Sequence, residues 1–448
     1  MNGHLRIAVA AAMVGILSLL TSTSLHAQTV GVPAIPTTPD DYVDYAVTSL
    51  PTHFTTGPTA AENNTPVDNP ITNAGAALGR VLFYDERLSH SQGISCASCH
   101  QQSNNFSDPD QFSTGVDGQT DRHSMGLANS TFYGREAFFW DERAATLEIQ
   151  VLQPIENSVE MGGDLDVLRG ELAATAFYPV LFQEAFGDSQ ITNDRISKAL
   201  AQFVRSMNSY QSKFDTAFTP ANPTTPDFEA VFTEQEQLGA EIFHGSGRCS
   251  TCHATNTQSG DNLFNIGLDA NNLADQGAGR GRFKTSSLRN VEAQDGYMHD
   301  GRFTTLEEVV EHYSSGIQNN PFLSPGLPVG GFGFTAAEEA ALVAFLKTLT
   351  DDTFLNSELF SDPFVELTGD YNDDGIVDGD DLAEWGTGFG ATTTTGSFLE
   401  WQQNLGASWL DLRPSSLAAS GAVPEPNSVA LLIAGLWATL WRRRLPDS

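Results

Sequence analysis

The sequence predicts a mainly α fold: two related domains followed by a small helical third module. Three observations carry this. Apolar residues recur at helical spacing ahead of two copies of Cys-x-x-Cys-His, one at Cys96-Ala97-Ser98-Cys99-His100 and one at Cys249-Ser250-Thr251-Cys252-His253. The leading segments also repeat, since Ala76 to Phe83 and Gln235 to Phe243 each carry Leu-Gly, an aromatic and a short loop before the cysteines, as a duplicated unit would. Near the end, the aspartate-rich stretch from Asp370 to Asp381 has the spacing of a helix-flanked loop.

The elements follow in chain order. His4 and Arg6, the apolar run Ile7 to Leu20 and small or polar residues up to Ala27 predict a secretory signal peptide over 1–27, cut near Ala27–Gln28. A single membrane anchor is the alternative, but the apolar run is short of a bilayer span. Residues 28–70, rich in Pro, Thr and Asn with weak periodicity, are expected to be a lead-in rather than core. Residues 71–219 and 220–352 are the two repeated domains, with Pro220, Pro223 and Pro226 marking the linker. Thr335 to Leu349 closes the second as an amphipathic helix with Ala336, Ala340, Leu342, Val343, Phe345 and Leu346 on its apolar face. A polar stretch through Asp362-Pro363 precedes the third module, 366–410, and 411–448 is a tail.

The cysteine motifs carry the chemistry. On one helical turn, thiols at i and i+3 share a face and reach the two vinyl groups of one porphyrin, and the following His100 or His253 falls under the iron as proximal ligand. A zinc knuckle or a thioredoxin-like pair is the bland alternative, but the two motifs use all 4 cysteines. Two covalent haem c groups, each in a cytochrome c-like domain, make redox chemistry the leading expectation. A formal net charge of -34 argues against nucleic acid or an anionic membrane as partner and suits an exported, calcium-binding chain. Export to the periplasm or cell surface agrees with haem attachment, which is completed outside the cytoplasm.

In the third module, Asp370, Asn372, Asp374, Asp378 and Asp381 offer side-chain oxygens at loop positions 1, 3, 5, 9 and 12, with Gly375 at 6 and the Ile376 carbonyl at 7. This is an EF-hand-type calcium loop, hard oxygen donors around a hard cation; a merely solvated acidic loop is the alternative. Asp at the last position resembles the dockerin type, and Ser397 to Gly406 looks like the end of a degenerate second half. A structural role is expected, with a cohesin-like or cell-surface partner as a further reading.

Two resemblances extend this. Val423-Pro424-Glu425-Pro426, an apolar run from Ser428 to Trp441 and Arg442-Arg443-Arg444 resemble PEP-CTERM sorting signals; a plain tail anchor is the alternative. The stretches LGRVLFYDERLS from Leu78, FFWDERAATLEIQ from Phe138, PIENSVEMG from Pro154 and FKTSSLRNVEAQDGYMHDGRFTTLEEVVEHY from Phe283 resemble the dihaem cytochrome c peroxidases and their MauG relatives. The resemblance implies that hydrogen peroxide is reduced at the first haem, forming high-valent haem, with Glu160 as acid/base, Gln150 orienting peroxide, Pro154 between them and Trp140 relaying electrons. In the peroxidases a His on the loop after the first haem caps the iron; no His or Met occurs from Gln101 to Arg122, so the iron is expected to be open at rest. His123 and Met125 lie just beyond, His123 where the family has an Asn linked to an inter-haem calcium. Tyr313 aligns with the second axial ligand of the MauG branch, where the peroxidases have Met; His312, Met298 and His299 compete for that role. The implied donor is a small exported cytochrome, a cupredoxin or a substrate protein. A non-catalytic dihaem electron-transfer cytochrome is the alternative, and adhesion through the calcium module is a third.

Overall fold

The computed structural model describes residues 31–414, apart from 38, 47–48, 391–392 and 394. The signal peptide and the sorting tail predicted above lie outside the described residues. Within them the fold is mainly α, with three short two-stranded antiparallel ribbons.

Two helix crossings organise the chain. The Asn73–Tyr84 helix, capped by the Thr72 side chain, crosses Asn193–Ser206, capped by Thr192. The Glu234–His244 helix crosses Ala336–Lys347, and each of these starts at a Thr-x-x-Glu capping box, Thr233 with Glu236 and Thr335 with Glu338. The Leu-Gly repeat finds its meaning here. A Cβ on Gly79 would stand 2.0 Å from the Ala199 carbonyl oxygen and against Phe203; a Cβ on Gly239 would stand 2.0 Å from the Ala341 oxygen and against Phe345. Both crossings thus use the same glycine, alanine and phenylalanine, and the backbones approach more closely than any side chain allows.

Two separate apolar cores result, one around Leu78, Leu82, Leu200 and Phe203, the other around Ile242, Phe243, Leu342 and Phe345. Their membership reaches beyond the crossing helices. Val32, Ile35, Tyr42 and Tyr45 are buried in the first core, so residues 28–70 are not a mere lead-in. Val32–Pro33 pairs with Phe364–Val365, which makes a strand of it. Phe214, ahead of the proline-marked linker, belongs to the second core and packs on Phe228 and Phe345. The crossover therefore falls before Pro220, in the stretch where Asp351 accepts hydrogen bonds from Ser209 Oγ and from the Tyr210 and Gln211 amides.

The third module is part of the first half rather than an appendage. Val377, Trp401 and Trp409 belong to the first core, and Trp409 is buried against Phe177. Ala176 N donates to Asp374 O at 2.7 Å, and Arg87 Nη2 reaches the carbonyls of Gly31 and Asp373. Arg413 closes the clasp on the Ile35 and Pro36 carbonyls and Glu184. Among the described residues, no helix is long and apolar enough to cross a membrane.

Candidate active site

The first cysteine motif opens on a single helical turn, Cys96–Cys99, with Ser95 and Ser98 capping each other. Its thiols are free and line a mostly apolar cavity with His100, Phe83, Leu127, Val151 and Leu200. His100 Nδ1 donates to the Phe106 carbonyl at 2.7 Å, which fixes the tautomer and leaves Nε2 with the lone pair a metal needs. Burial also lowers the pKa of His100, keeping the ring neutral.

The second motif repeats this arrangement. His253 Nδ1 donates to the Gln258 carbonyl at 2.7 Å, and burial lowers its pKa to about 4. Phe106 and Gln258, whose carbonyls accept these two bonds, both have left-handed backbones, φ 54° and 49°. Burial pushes Cys96 and Cys249 up to about 12 and Cys99 and Cys252 up to about 11, so in these apolar slots all four are neutral thiols. Paired thiols and a carbonyl-anchored histidine on an apolar slot fit a covalently held porphyrin.

Gln150, Pro154 and Glu160 line the same cavity as His100. Gln150 ends the Leu147–Gln150 helix, capped by Thr146 and anchored by buried Leu147; Pro154 lies in Gln153–Glu156, anchored by Ile155. The Thr114–Gln119 hairpin clamps the backbone of Glu160, with Val116 N donating to its carbonyl at 2.9 Å. Gly115 packs so tightly that a Cβ there would stand 2.0 Å from the Val159 oxygen. This hairpin is the loop that lacks His and Met, and Ser113 and Thr120 are what it offers to the cavity. Asn157 Nδ2 donates to Glu160 Oε1 at 2.9 Å. Burial raises the pKa of Glu160, partly offset by the charge of Arg143. Neither Asn157 nor Arg143 was singled out from sequence, although both sit inside the matched stretches.

The His123 ring is engaged within the protein. It is buried, with Nε2 3.0 Å from Ser107 Oγ and Nδ1 donating to the Gln111 carbonyl at 3.1 Å, so both ring nitrogens are used within the protein. Its backbone joins the halves: His123 N donates to His299 O, and the Trp140 indole donates to His123 O at 2.8 Å. Trp140 lines both a cleft of about 860 Å³ shared with His100 and Glu160 and the cavity of the second motif, and Met125 does the same.

That second cavity is walled by Cys249, Cys252, His253 and Tyr313. The Leu306–Glu311 helix passes into a π-helical turn, His312–Gly316, which carries Tyr313. The Tyr313 hydroxyl has no hydrogen-bond partner among the described residues, and burial, with Cys249 and Cys252 nearby, holds its pKa well above the usual phenol range. Met298 and His299 also line the cavity. His299 stacks on Phe283 at 3.6 Å, and His312 turns away, its Nε2 donating to the Ile266 carbonyl at 3.1 Å.

In the third module the carboxylates of the predicted calcium loop face backbone amides. Asp370 accepts from the Asp374 and Gly375 amides, Asp374 from Ile376, Asp378 from Asp380, and Asp381 from Tyr371, Asn372 and Asp378. Gly375 takes φ 93° at the turn. Among the described residues, no three His, Cys, Asp or Glu side chains converge as a metal site, so the carboxylates of Asp370, Asp374, Asp378 and Asp381 do not form one, and Asn372 and the Ile376 carbonyl have no such cluster to complete. Burial and the charges of Asp373, Asp381 and Asp374 raise Asp370 to about 7.

Two cavities, each walled by a Cys-x-x-Cys-His motif and a carbonyl-anchored histidine, define a di-haem c-type protein. Comparison with known proteins agrees: the di-haem cytochrome c peroxidase family matches residues 73–221, and the PEP-CTERM protein-sorting motif matches residues 422–444. The chain is 33% identical over 299 residues to the methylamine utilization protein MauG of Methylophilus methylotrophus, covering 63% of this chain and 84% of that protein. It is 34% identical over 289 residues to the cytochrome c551 peroxidase of Nitrosomonas europaea, covering 62% and 80%. A solved MauG-like protein associated with microbial copper homeostasis superimposes with a TM-score of 0.62 at 32% identity, covering 70% of this chain and 99% of that one. The chain belongs to the di-haem cytochrome c peroxidase and MauG family. Membership makes it a peroxidase-type oxidoreductase with two haem c groups and hydrogen peroxide as oxidant. The sorting motif points to export to an extracytoplasmic or cell-surface location.

Proposed function

We propose that peroxide reacts at the haem held by Cys96, Cys99 and His100, and that the oxidising equivalents pass through Trp140 to the haem held by Cys249, Cys252, His253 and Tyr313. The observation that carries this is the grouping of Glu160, Gln150 and Pro154 on one cavity with His100. A haem held by Cys96, Cys99 and His100 would supply the electrons for O–O cleavage. Glu160 moves a proton from one peroxide oxygen to the other, so that the second leaves as water; its raised pKa suits a group that must both take and give a proton. Asn157 holds the carboxylate in place, Gln150 orients the peroxide, and Pro154 narrows the cavity between them. Trp140, hydrogen-bonded at its indole and lining both sites, is the electron relay.

Tyr313 is proposed as the second haem's axial ligand, supported by its unpartnered hydroxyl and its position on the cavity wall. A phenolate donor favours the ferric state, which suits a haem that stores oxidising equivalents. An open first site and a tyrosine-held second favour oxidation of a partner protein, as in the MauG branch, over turnover with a small exported cytochrome or cupredoxin. Each of the two cores is read as one haem domain. The Asp370–Asp381 loop is proposed to take calcium as a structural brace, with Asp370 and Asp374 exchanging backbone amides for the cation; a rise in melting temperature with calcium, absent in Asp370→Ala, tests it.

The test of the main proposal is rapid mixing of the fully ferric protein with peroxide. The Soret band is expected to change without prior reduction. An unchanged band refutes the open-site reading.

A further inference from the structure

The sequence has four lysines. Lys198, Lys213 and Lys347 are ion-paired with Asp194, Glu236 and Glu292. Lys284 is different: it is only 9% exposed, yet its ammonium has no hydrogen-bond or ion-pair partner among the described residues. Its Nζ lies 3.8 Å from the centre of the Tyr133 ring and 4.7 Å from that of Phe138. The carboxylate whose charge acts on it, Glu142, is already taken by the Tyr133 hydroxyl and by the Arg135 guanidinium.

A buried cation against two ring faces retains part of its hydration loss unless an anion meets it. The backbone fixes where that anion must be. Lys284 N donates to the Trp140 carbonyl at 2.9 Å, and Phe283–Lys284 pairs with Leu263–Phe264, so the residue is pinned beside the proposed relay. Lys284 lines both the shared cleft and the second cavity, and its neighbours Phe283, Thr285, Ser286 and Ser287 wall the second cavity too. In a chain this acidic, the protein leaves one lysine free at the junction, and the anion that a haem brings there is a propionate.

We infer that Lys284 is the counter-ion of a propionate of the haem held by Cys249 and Cys252, and that it sets that haem's potential as a positioning residue. Burial lowers the pKa of Lys284 to about 7, and a carboxylate beside it restores the charged form. The inference rests on the second cavity holding haem, which haem content per chain measures separately.

The test is spectroelectrochemical titration of both haems in the holoprotein. In Lys284→Met the haem held by Cys249 and Cys252 loses a nearby positive charge, so its ferric-to-ferrous ratio at fixed ambient potential should rise roughly tenfold, a fall of about 59 mV for one electron. Lys284→Arg should keep the wild-type value. An unmoved potential in Lys284→Met, or an equal fall in Lys284→Arg, overturns the inference, since packing on Tyr133 and Phe138 alone affects stability and not potential. The wild-type protein gives a second reading if Lys284→Met fails to fold: transfer to D2O should shift the propionate bending band of that haem in resonance Raman. No shift overturns it.

Discussion

Replacing Glu160 by Gln separates proton movement from shape. The side chain keeps its size, and its amide oxygen still accepts from Asn157 Nδ2, now 2.9 Å from Glu160 Oε1, so the clamp by the Thr114–Gln119 hairpin has no reason to shift. What disappears is the group that takes a proton. A positioned acid/base is worth about 10²–10⁴-fold, or about 3–5 kcal/mol of barrier. The assay is stopped-flow mixing of ferric protein with peroxide, followed at the Soret band over a range of pH. The carboxylate is the working form for the first transfer, and burial raises the pKa of Glu160. In the wild type the second-order rate should therefore climb with pH through a value above the ordinary glutamate range and then level. Glu160→Gln should be slow and lose that climb. A variant within threefold of the wild type, with the same pH profile, refutes the assignment.

Other predictions concern the second haem, the crossings and the clasp. Tyr313→Met should raise the potential of the haem held by His253 and leave the other unchanged, read by redox titration. Gly239→Ala drives a Cβ into the Ala341 oxygen and should cost about 1–3 kcal/mol or more in chemical denaturation, as should Gly79→Ala. Trp409→Ala empties a site that is 1% exposed against Phe177 and should cost about 3–5 kcal/mol, although Trp409 lies in the third module. Asp215 is buried, but the Arg289 guanidinium and His53 hold its carboxyl well below the usual range. Its contribution is therefore present above the unfolded carboxylate pKa of about 4 and lost as pH falls below it, so Asp215→Asn should lower stability at neutral pH by about 3–5 kcal/mol and flatten the acid limb.

The chemistry was legible where it is local. Cys-x-x-Cys-His states its geometry in consecutive residues, and the structure repeats it with the same carbonyl anchor at both sites. The anchors themselves, Phe106 and Gln258, act through backbone oxygens and leave no side-chain signature. The Leu-Gly repeat was visible, but the reason for glycine lies in Ala199 with Phe203 and Ala341 with Phe345, far along the chain. Val32, Ile35, Tyr42 and Tyr45 follow no period because a strand partner at Phe364–Val365 and the first core decide their burial. Composition suggested a separable third module, whereas Trp409 and Arg413 fasten it to the first half. Lys284 sits inside a stretch that resembles the family, yet only the absence of a partner singles it out.

The central claim is that the two haem sites are unequal, one open opposite Glu160 and one closed by Tyr313. Electron paramagnetic resonance and resonance Raman of the resting ferric protein report both coordination states at once. One five-coordinate high-spin haem and one six-coordinate haem are expected, with Tyr313→Met altering only the latter. Two six-coordinate haems, both indifferent to Tyr313→Met, contradict it.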